Sequence, residues 1–101
     1  MPEFIEAARV DQIPPGTSTT INVAGKDVAI FNVDGDVYAI GDSCPHAGAS
    51  LGAGRLNGCI VTCRAHGLRY DVTTGQVTTG GFGVATYPAK VVDGTILIAV
   101  D

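Results

Sequence analysis

The sequence predicts an all-β fold, an antiparallel β-sandwich or barrel with a small subdomain of loops and short strands inserted in it. Three observations carry that expectation. Turn signals recur about every ten residues, which is the spacing of all-β domains. The runs between them are rich in Val, Ile, Thr and Tyr, the residues that fit a pleated surface. No window shows an apolar stripe of helical period. One domain over residues 1–101 is expected, because two domains in a chain this short would each lack a sufficient core.

Phe4-Ile5-Glu6-Ala7-Ala8 begins the series as a first strand, expected to be closed by Pro14-Pro15-Gly16. Thr20–Val23 follows and is joined by Ala24-Gly25-Lys26-Asp27, a weaker turn signal, to Val28–Val33. Asp34-Gly35 then leads into Val37–Ile40, and Asp93-Gly94 links Lys90–Val92 to Thr95–Val100. Asp-Gly supplies the two positive-φ residues of a type I′ turn, so both are strong hairpin signals. In Val28–Val33 the two alternating sets, Val28 and Ile30 against Ala29, Phe31 and Val33, are both apolar, as in a sheet covered on each face.

Between Asp42 and Asn57 the strand rhythm stops, and a loop that long in a small domain is functional or disordered. A strand, Cys59–Thr62, a second irregular turn, Cys63–Gly67, and another strand, Leu68–Asp71, come next. The stretch 42–71 is therefore expected to form a subdomain on the β scaffold supplied by its flanks.

Composition removes several function classes. Six basic against ten acidic residues give a net charge of −4, which speaks against nucleic acid as a partner, and the absence of Trp removes an obvious stacking platform. No apolar run approaches a membrane span, and the start lacks the basic and apolar regions of a signal peptide, so no membrane association is expected. Three Cys are too few for a disulfide scaffold and point to metal or redox chemistry in a reducing, cytoplasmic setting.

The chemistry-bearing residues are Cys44-Pro45-His46 and Cys63-Arg64-Ala65-His66, which contain both histidines of the chain, each on a Gly-containing loop. Two thiolates and two imidazoles on paired loops have the type and count of a metal site. A structural Cys2His2 zinc site would place its Cys pair on one knuckle and its His pair on a helix, whereas each loop here offers one of each. That arrangement suits a binuclear cluster with Cys on one iron and His on the other, with a single zinc as the alternative.

These boxes, with Tyr70-Asp71, Thr74-Gly75, Tyr87-Pro88 and Val91-x-Asp93-Gly94, resemble the Rieske [2Fe–2S] family, and in particular its small soluble ferredoxins. The resemblance implies the Rieske fold, a [2Fe–2S] cofactor, and ligation by Cys44 and Cys63 on a buried iron and by His46 and His66 on an outer one. It also implies the role of a one-electron carrier, not catalytic alone. Such a carrier passes electrons from a flavin-dependent reductase to the terminal oxygenase of an aromatic-ring-hydroxylating dioxygenase system. A monomer is expected. The alternatives are a Rieske subunit of a larger oxidoreductase and a zinc-stabilised interaction module.

Departures from the family pattern are informative. Respiratory relatives carry a second Cys in each loop, where this chain has Ala49 and Ala65, and a Ser where it has Leu68, while Tyr70 is retained. Arg64 replaces the usual Pro, and the loop expected to cover the cluster reads Thr79-Gly80-Gly81-Phe82-Gly83-Val84-Ala85. Cys59 is expected to be a buried structural thiol. Gly52-Ala53-Gly54 starts like a dinucleotide fingerprint, but residue 57 is Asn and no helix follows. Finally, Arg55, Arg64 and Arg69 against Asp71 give the stretch 44–71 a charge of +2, and the remainder −6. A basic tip on an acidic body would orient the chain toward acidic partners.

Overall fold

The computed structural model describes residues 3–42, 50–63, 67–78 and 83–100. Among the described residues ten strands form three antiparallel sheets: β1 (Glu3–Arg9), β2 (Ser18–Val23), β3 (Lys26–Val33), β4 (Asp36–Gly41), β5 (Arg55–Asn57), β6 (Ile60–Thr62), β7 (Arg69–Asp71), β8 (Thr86–Tyr87), β9 (Ala89–Val92) and β10 (Thr95–Val100). Their orders are β1-β10-β9, β2-β3-β4-β8 and β5-β6-β7.

The hairpins follow from the turn residues. Asp34-Gly35 and Asp93-Gly94 have positive φ at both positions, as a type I′ turn requires. Ala24-Gly25 does the same, with φ of 52° and 85°, so the weakest of the three signals makes an equally tight turn between β2 and β3.

The β2-β3-β4-β8 sheet is covered on both faces, and alternation along β3 is the reason. Val28 and Ile30 enter a cluster with Ile13, Val23, Ala39, Ile96 and Ile98, which joins this sheet to β1-β10-β9. Ala29 and Phe31 point the other way, into a cluster with Ile40, Leu51, Val61, Cys63, Tyr70 and Val72, which joins it to β5-β6-β7. Burying both faces is what makes six successive β3 positions read as nearly continuous apolar sequence.

Several boundaries differ from the sequence reading. Pro14-Pro15-Gly16 does not close the first strand: β1 ends at Arg9, a 3₁₀ turn over Val10–Gln12 follows, and buried Ile13 plugs the core before the prolines. Pro14–Thr17 instead opens β2, with Thr17 N–H donating to Pro14 O and Gly16 N–H to Asn32 O. Buried Asn32 secures that junction by donating to Ile13 O at 2.8 Å and accepting from Gly35 N–H at 2.8 Å. Within the stretch 42–57, the described residues 50–57 are more regular than their sequence suggests. They contain a 3₁₀ turn, Leu51–Ala53, and strand β5, too short to show alternation. Strand β8 gave no signal either. It pairs Tyr87 with Ala39, and Pro88, lacking an N–H, ends it at the corner where the chain crosses into β9 and the other sheet.

Candidate metal centre

Of the four residues singled out as ligands, Cys63 is described; Cys44, His46 and His66 lie outside the described residues. Cys63 follows β6 directly and is 1% exposed. Its N–H donates to Leu68 O at 2.7 Å and its carbonyl accepts from Gly67 N–H at 2.9 Å. These bonds, with Gly67 at φ 70°, close the base of the segment that carries His66 in the sequence.

The base of the segment that carries Cys44 and His46 in the sequence is closed by a different device. Asp42, at the end of β4, accepts at Oδ1 from Thr20 Oγ1 at 2.8 Å, Ser50 Oγ at 3.0 Å and Gly52 N–H at 2.8 Å. Leu51 N–H donates to Asp42 O at 2.7 Å. The chain thus leaves β4 and returns at Ser50 through one buried carboxylate, and Leu51 then packs into the apolar cluster that holds Cys63. This clamp is a structural element beside the proposed site that the sequence did not announce. Thr20 sits thirty residues from Ser50 and nothing local announces the pairing. It also explains Gly52-Ala53-Gly54, whose glycines serve packing. A Cβ at Gly52 would land on Thr20 Oγ1, and one at Gly54 on Thr62 O.

A third connection is tied at Gly75. Gly75 N–H donates to Asp71 O, Val84 N–H donates to Gly75 O, and Thr78 N–H donates to Arg69 O, so both ends of the Gly-rich segment are fixed to β7. Residues 79–82, including Phe82, lie outside the described residues. Gly75 has φ 77° and a Cβ there would run into Val84 O. Gly75→Ala is therefore expected to cost about 2–4 kcal/mol, from left-handed strain and overpacking. A thermal melt should show Tm lowered by roughly 8–20 °C.

Among the described residues no three His, Cys, Asp or Glu side chains converge, as follows when three of the four proposed ligands lie outside them. The fit of a cluster is therefore judged on Cys63. A free thiol with almost no exposure, set in an apolar cluster at the rim of an open cleft, suits a thiolate ligand shielded from water. Cys59 is placed differently. It lies in the β5–β6 turn, half-buried against the same cluster, not on the strand where the sequence put it. Tyr70 is fully buried and Leu68 half-buried beside that cluster.

Residues 3–88 match the Rieske [2Fe–2S] domain. The chain is 33% identical over 100 residues to the ferredoxin component of the naphthalene 1,2-dioxygenase/salicylate 5-hydroxylase systems of a Ralstonia species, covering 97% of this chain and 96% of that protein. Among solved structures it is similar to a chain of the complex of reduced oxygenase and oxidized ferredoxin in carbazole 1,9a-dioxygenase. That similarity has a TM-score of 0.87 at 27% identity and covers 95% of this chain and 92% of that one. It is also similar to a Mycobacterium tuberculosis chain provisionally described as the small subunit of an NADH-dependent nitrite reductase. There the TM-score is 0.91 at 25% identity, covering 100% and 97%.

An antiparallel all-β scaffold, with one Cys and one His in each of two short stretches of its sequence, suits an iron–sulfur protein of mixed ligation. The chain belongs to the Rieske [2Fe–2S] domain family, and its cofactor is a Rieske-type [2Fe–2S] cluster. No helix among the described residues is long and apolar enough to cross a membrane.

Proposed function

We propose that this chain is a one-electron carrier that takes electrons from a flavin-dependent reductase and delivers them to a terminal ring-hydroxylating oxygenase. The observation that carries the reading is the match, over nearly its whole length, to a relative named as the ferredoxin component of a dioxygenase system. The chain acts as a single domain and a monomer in the cytoplasm, without catalytic chemistry of its own. Cys44, His46, Cys63 and His66 hold the cluster, which when bound supplies reversible one-electron uptake. The protein's contribution is to seat Cys63 in an apolar cluster and to fix the bases of both ligand-bearing loops, through Asp42 and through the Cys63–Leu68 and Gly67–Cys63 bonds. The likeness to a nitrite reductase small subunit favours a second reading, a subunit that stays bound to a larger oxidoreductase. Reconstitution separates the two. The purified chain, added to a ferredoxin-depleted reductase and oxygenase pair, should restore hydroxylation in proportion to its concentration. Elution only with a larger partner, with no restored turnover, supports the subunit.

The potential tests the oxygenase assignment independently. His-ligated clusters span roughly −150 to +300 mV, and donors to the cluster sulfurs raise the value. Leu68 packs against the apolar core and brings no hydroxyl where respiratory relatives have one. A missing donor to a charged acceptor, worth about 1.5–3 kcal/mol with half of it differential, lowers the midpoint by roughly 30–60 mV. Spectroelectrochemistry should place the midpoint in the lower half of the range, and Leu68→Ser should raise it. A midpoint above about +150 mV would reassign the chain to the respiratory type.

A further inference from the structure

Strands β5, β6 and β7 pair in a register that places Arg55 opposite Thr62 and Thr62 opposite Arg69. Directly paired residues share a face. The neighbouring row, Leu56–Val61–Tyr70, faces the core, so Arg55, Thr62 and Arg69 form one row on the outer face. Both arginines are exposed, and the row lines an open cleft of about 1400 Å³ that reaches Cys63. With strands about 4.8 Å apart, the two guanidinium-bearing positions stand roughly 10 Å from each other across the Thr62 hydroxyl.

These arginines differ from the other described basic residues. Lys90 lies 4.2 Å from the Phe4 ring centre, Lys26 lies 5.9 Å from that of Tyr87, and Arg9 donates to Thr95 Oγ1. The side chains of Arg55 and Arg69 make no hydrogen bond or ion pair with any described residue. The acid on the same face, Asp71, has its Oδ1 engaged by Thr73 N–H at 2.9 Å and Thr73 Oγ1 at 2.6 Å. Two exposed guanidinium groups, uncommitted among the described residues, therefore stand on a molecule whose net charge is −4.

Resting on the electron-carrier reading, we propose that the Arg55–Thr62–Arg69 row is the seat for an acidic surface of the protein that exchanges electrons with this chain. Charge complementarity selects the occupant, because two forked donors flanking a hydroxyl match side-chain carboxylates. Position makes it useful for electron transfer: Thr62 immediately precedes Cys63, so carboxylates seated on the row bring their protein beside a proposed cluster ligand.

Two measurements on the full chain test the seat. In the first, fluorescein-labelled hexaglutamate is titrated at low ionic strength and followed by anisotropy, with hexalysine as control. Wild type should bind hexaglutamate, Arg55→Lys/Arg69→Lys should retain binding, and Arg55→Glu/Arg69→Glu should weaken it by about tenfold or more. Arg55→Gln/Arg69→Gln serves if the Glu variant does not fold. In the second, ferricyanide oxidises the reduced cluster, one electron passing from cluster to trianion. The net charge alone predicts a rate that rises with salt; the row predicts a rate that falls with salt and is inhibited by hexaglutamate. No hexaglutamate binding by wild type, or equal binding by the charge-reversed variant, overturns the proposal. So does a ferricyanide rate indifferent to hexaglutamate, which would mean a site for small anions only. A chain with no reducible chromophore would instead refute the electron-carrier reading, and is told apart by its iron content.

Discussion

Replacing Cys44, His46, Cys63 or His66 with Ala should leave a colourless protein, with iron and acid-labile sulfide near zero after purification. With these four as the proposed ligands, each change would leave an iron one bond short. Cys59 is the informative control. It is a second free thiol packed against the same apolar cluster as Cys63, yet it sits at the far end of β6. Cys59→Ala should keep full iron and sulfide content and lose only a modest amount of stability from the smaller side chain. Bleaching by Cys59→Ala with colour retained in Cys44→Ala would overturn the ligand assignment.

Asp42→Ala should have the next largest effect. Three donors converge on one carboxylate oxygen, and the residue is 7% exposed. Truncation leaves two hydroxyls and one backbone N–H without their acceptor at the base of the segment that carries the proposed ligands Cys44 and His46. Hydrogen bonds to charged groups contribute about 1.5–3 kcal/mol each, and because the three share one acceptor the loss should be about 2–4 kcal/mol. Chemical denaturation should report it as a lower midpoint at unchanged slope. Faster loss of visible absorbance under a chelator should accompany it. Asp42→Asn keeps an acceptor oxygen and should recover part of both. An Asp42→Ala protein with wild-type stability and bleaching rate would show that the clamp is incidental.

The contrast between Cys63 and Asp42 marks what could be read from the chain alone. Cys63 stood out as a candidate because thiol and imidazole types at fixed spacing are rare and local. The hairpins were legible because Asp-Gly encodes backbone geometry within two residues. Asp42 was not, since its partners come from Thr20 on one side and Ser50 and Gly52 on the other, and hydroxyl residues are common everywhere. Strands β5 and β8 escaped because three and two residues cannot display an alternating pattern, and their existence is decided by neighbours. The 3₁₀ turn after β1 escaped for a related reason: Ile13 is placed by the core it fills, not by its immediate sequence.

The two-sided burial of β3 has a consequence for how the molecule comes apart. Val28 and Ile30 belong to one apolar cluster, and Ala29 and Phe31, interleaved with them, belong to the other. A strand cannot release alternate residues while holding the rest. Neither cluster can therefore open sub-globally by peeling β3 away without exposing the other, and the layer that buries Cys63 shares the folding cooperativity of the opposite sheet. Through β3, the free energy protecting buried Cys63 from solvent includes contributions from Ile96 and Ile98, residues on the opposite side of that strand.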